Sequence, residues 1–264
     1  MCGGDDREVV HVYAEPPEGE IRFAFEGPYR RELRRCLNDG HIVSVHGMDM
    51  SELYAGAYVD ATYGNDGMRR TYERVLALPL HQSDNAGRVA RVLEFMEPRR
   101  RPPQPSLLDI GSGTGVFPNR MQSAGWSVVA SDPDARAVSH LREVAKVEAL
   151  ELDFGAGELQ QLGTYDVVTL NKVLEHVVDP VVLLARARSV LAPNGVVYLE
   201  VPDVEAAQDP SGYGREEFFI DHFHVFSAMS AEAMAAAAGY VVLDVERLRE
   251  PSTKYTIRLF LAVA

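Results

Sequence analysis

Short apolar runs alternate with longer amphipathic segments from residue 106 almost to the last residue. Such runs are typical of buried strands, and such segments are typical of helices with one apolar face. The predicted strands are 107–110, 127–131, 147–152, 165–170, 196–201, 240–245 and 255–262, and the predicted helices lie near 116–124, 134–145, 180–191 and 227–239. This order predicts an α/β fold, in which helices cover both faces of a mostly parallel sheet of seven strands.

The first 82 residues carry a weaker pattern. Residues 9–13 and 21–25 alternate like two strands around a turn rich in proline and glycine. Ser83 then offers an N-cap to a helix whose apolar positions recur every three or four residues until Pro98 stops it. We therefore divide the chain into an N-terminal extension, 1–82, interpreted as a lid or a wall of the substrate site, and a main domain, 83–264.

The charge balance is acidic, with 26 Lys and Arg against 39 Asp and Glu, a net charge of −13. Nucleic-acid binding depends on Lys and Arg that neutralise phosphates, so this balance disfavours a nucleic-acid partner. The longest uncharged apolar stretch, 233–243, has 11 residues, and a membrane-spanning helix needs about 20. The first residues lack the basic and apolar segments of a secretory signal, which favours the cytoplasm and no membrane association.

A glycine-rich loop follows the first strand of the main domain and opens a helix. It reads Asp109-Ile110-Gly111-Ser112-Gly113-Thr114-Gly115. Glycines allow a sharp turn there and let a ligand approach the backbone without a Cβ in the way. The third glycine comes one residue earlier than in the dinucleotide-binding pattern. NAD is therefore a less favoured ligand, although the sequence leaves it open.

Acidic residues also end the next two strands. Asp132, followed by Pro133, lies 21 residues beyond Gly111, and a carboxylate at this position can accept two hydrogen bonds from a ribose diol. Asp153 ends the third strand and can accept from an exocyclic amine, while the ring of Phe154 could pack on a base. Because ligands bind at the carboxyl ends of parallel strands, these groups predict a nucleoside-containing ligand.

These motifs, in this order and spacing, resemble those of the class I S-adenosylmethionine-dependent methyltransferases. The segments 165–177 and 191–195 add to the resemblance, which covers about residues 85–262. It implies a Rossmann-like fold, S-adenosylmethionine as cofactor and S-adenosylhomocysteine as product. By this likeness Asn171 lies near the sulfonium, and Asp109 orients the loop or reaches the ammonium group through water. The other implied cofactor residues are Gly111, Gly113 and Gly115 at the methionine portion, Asp132 and Pro133 at the ribose, and Asp153 and Phe154 at the adenine.

Within that family, residues 174–177, 200–203 and 223–227 look most like those of small-molecule enzymes, the ubiquinone-pathway O-methyltransferases and the sugar or natural-product tailoring enzymes. The resemblance therefore implies methylation of a hydroxyl on a small polar metabolite. Methylation of nitrogen or carbon, a tRNA-modifying activity and a non-catalytic cofactor-binding role stay open as alternatives. The sequence leaves the oligomeric state undetermined.

Histidines supply the candidate catalytic residues. A hydroxyl must lose a proton when it is methylated, and histidine suits that task near neutral pH. His176 follows the fourth strand of the main domain and is the first candidate base. His222 and His224 form a second set, with Asp221 as a partner that could orient them, and in an extended segment they would point the same way. A divalent cation between these histidines and Glu200 or Asp203 is possible, but no compact ligand motif is present and we predict no metal.

Overall fold

The computed structural model describes residues 6–49, 58–99, 104–157, 159 and 162–264, and it contains two β-sheets. The strands are β1 (Arg7–Tyr13), β2 (Arg31–Cys36), β3 (Ile42–His46), β4 (Ser106–Ile110), β5 (Ser127–Asp132), β6 (Glu148–Glu151), β7 (Tyr165–Asn171), β8 (Leu191–Pro202), β9 (His224–Val225), β10 (Tyr240–Arg249) and β11 (Tyr255–Val263). The α-helices are α1 (Tyr58–Leu76), α2 (Asp84–Met96), α3 (Val116–Ser123), α4 (Ala135–Glu143), α5 (Pro180–Arg186) and α6 (Ala228–Ala237).

The larger sheet has seven strands in the order β6-β5-β4-β7-β8-β11-β10. The five strands from β6 to β8 are parallel, and β11 and β10 complete the sheet in antiparallel fashion. One hydrophobic cluster joins the sheet to α5 and α6 through residues such as Leu184 and Met234. A second cluster joins it to α2, α3 and α4 through residues such as Met121 and Leu141. The Rossmann-like, mostly parallel sheet predicted from the sequence is confirmed.

Side-chain caps fix where the helices begin. Ser83 accepts a hydrogen bond from the Ala86 amide at the start of α2, and Asp179 accepts one from the Val182 amide at the start of α5. The helix predicted over 180–191 is shorter, because α5 ends at Arg186 and a 3₁₀ turn leads the chain into β8. In the part of the chain that the structure describes, no helix combines the length and hydrophobicity needed to cross a lipid bilayer.

The strand β8 begins five residues earlier than predicted, at Leu191. Tyr165 pairs with Leu191 and Val167 pairs with Val196, so β8 contains extra residues opposite β7. Asn194 lies in this irregular stretch with a φ of 61°, a left-handed conformation that asparagine tolerates better than most residues. The chain therefore forms a bulge within the strand at this position.

The smaller sheet is antiparallel, in the order β1-β2-β3-β9. Its last strand, β9, comes from the main domain, so the extension and the main domain share this sheet. The strand predicted over 21–25 is wrong, since this segment joins no ladder. Its alternation has another cause: Ile21, Phe23 and Phe25 pack against the small core between the extension and the residues around Phe218.

A buried ion pair ties the extension to the same region. Arg31 and Glu20 lie 2.7 Å apart, and both side chains are completely buried. Arg31 donates a hydrogen bond to the Phe218 carbonyl at 2.6 Å, and Glu20 accepts one from the Ile220 amide at 2.7 Å. The extension therefore holds the backbone just before His222 in place. The proposed boundary at residue 82 and a lid function stay predictions.

Candidate active site

The strand order reverses next to β4, whose neighbours β5 and β7 lead to opposite ends of the sheet. Asp109 is buried at the end of β4, with 2% of its surface exposed. Its Oδ1 accepts hydrogen bonds from Thr169 Oγ1 at 2.6 Å and from Asn171 Nδ2 at 2.9 Å, both on β7. Burial raises the pKa of Asp109 to about 6, against the lowering effect of these hydrogen bonds. The carboxyl group is thus at the switch point of the sheet, where ligands bind in this class of fold.

The glycine loop requires glycine for two separate reasons. Gly111 and Gly115 have φ values of 68° and 77°, and a Cβ would lie 2.8 Å from Val173 and 2.6 Å from Leu141, respectively. Gly113, with a φ of 51°, has no atom within 4 Å of the position of a Cβ. The outer two glycines therefore permit close packing of the protein, whereas the middle one borders open space. A ligand can approach the backbone at Gly113.

Asp132 ends β5 beside this open space. Its Oδ2 accepts a hydrogen bond from the Gly113 amide at 3.0 Å, and its Oδ1 accepts one from the Asp134 amide at 3.0 Å. Burial raises the pKa of Asp132, and these backbone amides counteract the rise. Each carboxylate oxygen keeps further acceptor capacity. The side chain is thus oriented by the loop and can still accept from a diol, while Pro133, the next residue, is exposed.

The two candidates after β6 have different surroundings. Asp153 is exposed, and its Oδ1 accepts a hydrogen bond from the Gly155 amide at 2.8 Å. Phe154 is only 3% exposed and belongs to the main hydrophobic core. Its ring therefore has little free surface on which a base could pack, and the expectation of an open aromatic platform is not supported by this burial.

Asn171 contains an acceptor without a partner. Its Nδ2 donates to Asp109, whereas its Oδ1 is buried and has no hydrogen-bond partner within the described residues. An unsatisfied buried polar atom costs about 1–3 kcal/mol, so such atoms usually face a ligand or ordered water. This oxygen lies at the carboxyl end of β7, close to Asp109. It is suited to accept a hydrogen bond from a bound donor such as an ammonium group.

Past β7, two histidines from distant parts of the chain meet. Val173 lies directly against Gly111, so the segment that leads to His176 starts beside the glycine loop. The rings of His176 and His222 are 4.8 Å apart between centroids, in an edge-to-face arrangement. His176 Nδ1 is 2.9 Å from the Asp221 carbonyl oxygen, and His222 Nδ1 is 2.9 Å from the Glu217 carbonyl oxygen. Each ring is thus held by a backbone carbonyl.

Two carboxylates complete this group, which we call the histidine–carboxylate cluster: Glu175, His176, Asp221 and His222. Glu175 has no exposed surface, and neither of its carboxylate oxygens has a hydrogen-bond partner within the described residues. Asp221 Oδ2 lies 3.7 Å from His176 Nδ1 and 3.9 Å from His222 Nε2. Sequence reasoning gave Glu175 no role. The signal that could have found it is a carboxylate inside the apolar stretch 173–177.

His224 lies apart from this cluster. Its Nδ1 is 3.0 Å from Nε2 of His41, its Nε2 is 3.3 Å from the Val178 carbonyl oxygen, and it is 7% exposed. Both ring nitrogens therefore have protein partners, and the ring neighbours His41 rather than His176. His224 therefore does not belong to the cluster, and its catalytic role stays a prediction.

Glu200 and Asp203, the other predicted cation ligands, are paired with arginines. Glu200 contacts Arg88 and Arg258 and is completely buried. Burial alone would raise the pKa of Glu200, but the Arg88 guanidinium and the second arginine lower it to about 2. Asp203 forms an ion pair with Arg247 at 2.7 Å. Neither carboxylate joins the histidines, so the cation site imagined from the sequence with these two residues is not formed.

Comparison with known proteins places the chain in a family. A family model described as a methyltransferase domain matches residues 81–245, more than half of the chain. A ubiquinone biosynthesis O-methyltransferase from Xanthomonas axonopodis pv. citri is 30% identical over 112 residues, 40% of this chain and 47% of that protein. One from Rhizobium rhizogenes is 30% identical over 123 residues, 45% of this chain and 47% of that protein. The chain thus spans about half the length of these curated relatives.

Solved structures share the fold at low sequence identity. A magnesium protoporphyrin IX methyltransferase from Synechocystis PCC 6803, with bound S-adenosylhomocysteine, matches with a TM-score of 0.60 and 14% identity over 81% of this chain and 100% of that chain. A 1,6-didemethyltoxoflavin-N1-methyltransferase from Burkholderia thailandensis matches with a TM-score of 0.59 and 15% identity over 87% and 97% of the two chains. These likenesses establish the fold.

The family match includes the glycine loop, Asp132, Asn171 and the whole histidine–carboxylate cluster. The resemblance to S-adenosylmethionine-dependent methyltransferases is thereby confirmed, and the chain belongs to the methyltransferase-domain family.

Proposed function

We propose that this protein transfers a methyl group from S-adenosylmethionine to a hydroxyl of a small polar molecule, such as a sugar or another natural product. The observation that carries the proposal is a juxtaposition at one end of the sheet. The glycine loop, Asp109 and Asn171 adjoin the segment that leads into the histidine–carboxylate cluster. A nucleoside-type ligand and an acceptor could thus meet there.

The residues present fit the cofactor. Open space at Gly113, the remaining acceptor capacity of Asp132 and the unpartnered Oδ1 of Asn171 match a ligand that offers a ribose diol and an ammonium group. Gly111, Gly113 and Gly115 would border this ligand, and Asp153 would reach its base. When bound, the cofactor supplies an electrophilic methyl group on a sulfonium, so the protein mainly has to align the acceptor.

The histidine–carboxylate cluster would receive the acceptor. A hydroxyl has to lose its proton as its oxygen is methylated, and two imidazoles beside two carboxylates favour that loss. The hypothesis that His176 is the general base is one form of this proposal. In that form its Nδ1–H is held by the Asp221 carbonyl, and its Nε2 takes the proton.

Calorimetric titration with S-adenosylmethionine, S-adenosylhomocysteine and NAD tests the cofactor part of the proposal. We expect both sulfur ligands to bind and Asp132→Ala to weaken them about 10- to 100-fold, because hydrogen bonds to a charged group are lost. Glu143→Gln, an exposed change on α4, is the matched control and should bind like the wild type. Binding of NAD without the sulfur ligands would overturn the assignment.

An acceptor screen tests the reaction itself. The enzyme is incubated with S-adenosylmethionine and a panel of small alcohols, phenols and sugars, and the release of S-adenosylhomocysteine is measured. Turnover of at least one hydroxyl compound supports the proposal. Cofactor binding with turnover of amines only, or with no turnover on a broad panel, would contradict the hydroxyl assignment.

A further inference from the structure

The buried carboxylate of Glu175 is an unusual feature that the proposed function does not by itself explain. Glu175 has no exposed surface, and both of its oxygens are buried without a hydrogen-bond partner in the described part of the chain. A carboxylate removed from water is stable only if a cation or hydrogen-bond donors compensate for the lost hydration. The positive charge of Lys172 acts on Glu175, but the Lys172 ammonium donates to Thr256 Oγ1 and neither Glu175 oxygen accepts a hydrogen bond. Both oxygens can therefore still bind a further cationic partner.

The neighbours of Glu175 identify the kind of cation. One ligand-capable atom from each of Glu175, His176 and His222 can be chosen so that all three lie within 4.8 Å of one another. Ligand atoms about 2.1 Å from a tetrahedral ion lie about 3.4 Å apart. The distances between the three ligand atoms therefore have to shorten by roughly 1 Å when the ion binds. Rotation of these side chains on metal binding would have to supply this movement.

The two imidazoles are already oriented as metal ligands usually are. A ligating histidine commonly donates its other ring N–H to a backbone carbonyl, which fixes the tautomer and leaves a lone pair for the metal. His176 Nδ1 faces the Asp221 carbonyl at 2.9 Å, and His222 Nδ1 faces the Glu217 carbonyl at 2.9 Å. With the proton on Nδ1 of each ring, Nε2 is the ring nitrogen that would coordinate the metal.

Asp221 adds a second carboxylate at the same place. Its Oδ2 is 3.9 Å from His222 Nε2, and its Oδ1 is buried and has no partner within the described residues. It can serve as a fourth ligand or accept a hydrogen bond from a molecule bound to the metal. Three firm ligands leave at least one coordination position open, as in catalytic metal sites.

We propose that Glu175, His176 and His222 bind one divalent transition-metal ion, whose open position takes the oxygen of the methyl acceptor. Two imidazoles and a carboxylate suit Zn²⁺, Co²⁺, Fe²⁺ or Mn²⁺ better than Mg²⁺ or Ca²⁺, which prefer oxygen ligands throughout. This inference deepens the proposed function and rests on it for the identity of the bound oxygen compound. His176 is then a metal ligand, not the general base.

Metal binding to the full-length protein tests the site directly. The protein is stripped with a chelator, dialysed, and titrated with Co²⁺ under visible absorption and with Zn²⁺ by calorimetry. We expect one ion per chain, and we expect Glu175→Gln and His222→Asn each to weaken binding at least about 100-fold, since even partners beyond the ligands matter 10- to 100-fold. His81→Gln, which changes an exposed histidine elsewhere, is the matched control and should bind normally.

The outcomes separate this inference from the proposed function. No saturable binding of either ion below millimolar concentration, or unchanged binding in both cluster variants, overturns the metal site. Two variants are used because one could fail to fold, and circular dichroism checks each. Binding of S-adenosylmethionine to the metal-free protein is measured in parallel. If the metal-free wild type does not bind S-adenosylmethionine, the proposed function is contradicted. If it binds S-adenosylmethionine but no metal ion, only the metal site is contradicted.

Discussion

At the residue scale, the site depends on carboxyl groups held away from water. Asp109 is compensated by hydrogen bonds from Thr169 and Asn171, whereas the oxygens of Glu175 have no such partner within the described residues. Burying a carboxylate favours its neutral form, and the cost of the charged form is borne by the folded state. Asp109 is therefore expected to lower stability through its raised pKa, and Glu175 through its unsatisfied oxygens.

Replacement of Asp109 by Asn tests this cost. The folded-state pKa of about 6 is above the ordinary value of 3.8, so the folded form binds the proton more tightly than the unfolded form. The contribution of Asp109 to stability is then present below pH 4 and is lost as the pH rises to about 6, by an amount on the order of 3 kcal/mol. Asp109→Asn keeps an oxygen acceptor and removes the charge.

Urea unfolding of the wild type and of Asp109→Asn at pH 4, 5, 6 and 7 measures the effect. The difference in free energy of unfolding between the two proteins should shift in favour of the variant as the pH rises through this range. A difference that does not change with pH would show that Asp109 has an ordinary pKa in the folded protein.

Glu175→Gln provides a second test of residue-scale cost. In the metal-free protein the substitution replaces a buried carboxylate without a hydrogen-bond partner by a neutral group of similar size. We expect the free energy of unfolding to rise by about 1–3 kcal/mol in the absence of metal. Chemical denaturation in the presence of a chelator measures it, with Glu143→Gln on the protein surface as the comparison. A clear loss of stability would show that the carboxylate has a stabilising partner.

At the element scale, β9 connects the two sheets to one another. It pairs with β3, and the His41 ring next to β3 contacts both His224 on β9 and Ser230 on α6. Burial, with a smaller effect of His224, lowers the pKa of His41 to about 3. The folded form therefore excludes the proton. The stability that depends on neutral His41 is present above its unfolded pKa of about 6.5 and is lost as the pH falls.

Acidification should therefore loosen the pairing of β3 with β9. The Ser44 amide, which donates to the Phe223 carbonyl at 3.0 Å, reports on this pairing. Below pH 6 we expect the opening free energy of this amide to fall by up to about 1.4 kcal/mol per pH unit, and His41→Gln to remove most of the dependence. Hydrogen exchange measures it, after correction for the intrinsic effect of pH, and amides between β4 and β5 serve as the internal control.

At the scale of the whole molecule, the extension and the main domain meet at the segment that carries Asp221 and His222. Arg31 and Glu20 bind the backbone at Phe218 and Ile220. Asp109 and Asp132, which we propose bind the cofactor, lie on the large sheet instead, in a different set of contacts. The segment with Asp221 and His222 is thus held by contacts with the extension, whereas Asp109 and Asp132 are held by the large sheet.

Arg31→Ala should affect acceptor binding more than cofactor binding. It leaves the buried carboxylate of Glu20 without its ion-pair partner, which typically costs 3–5 kcal/mol of stability. The loosened segment should raise the KM for the acceptor or abolish turnover, while the affinity for S-adenosylmethionine stays within about threefold of the wild type. Steady-state kinetics and calorimetry measure the two quantities at a temperature where the variant is folded. An equal loss of acceptor turnover and of affinity for S-adenosylmethionine would contradict the inference that the extension holds only the acceptor side of the site.

Local patterns in the sequence were sufficient for the framework of the protein. The order of the seven strands of the large sheet and of the four helices after residue 106, the cap at Ser83, and the glycine loop with Asp132 were predicted correctly as elements of structure, whereas β9 was not predicted. These features depend on hydrophobic periodicity, on hydrogen bonds between residues two to four positions apart, and on the φ angles that glycine allows. Such interactions can be read from neighbouring residues.

The tertiary structure alone decided which distant residues meet. The segment 21–25 has the alternation of a strand but packs its apolar side chains on a core without joining a ladder. His222 contacts His176, while His224, two residues later, contacts His41. A carboxylate inside the apolar stretch 173–177 indicates burial of Glu175, but its lack of hydrogen-bond partners depends on every group that the fold brings near it. The sequence therefore determined the scaffold and the glycine loop, and the packing of β9 and the extension determined the chemistry beside them.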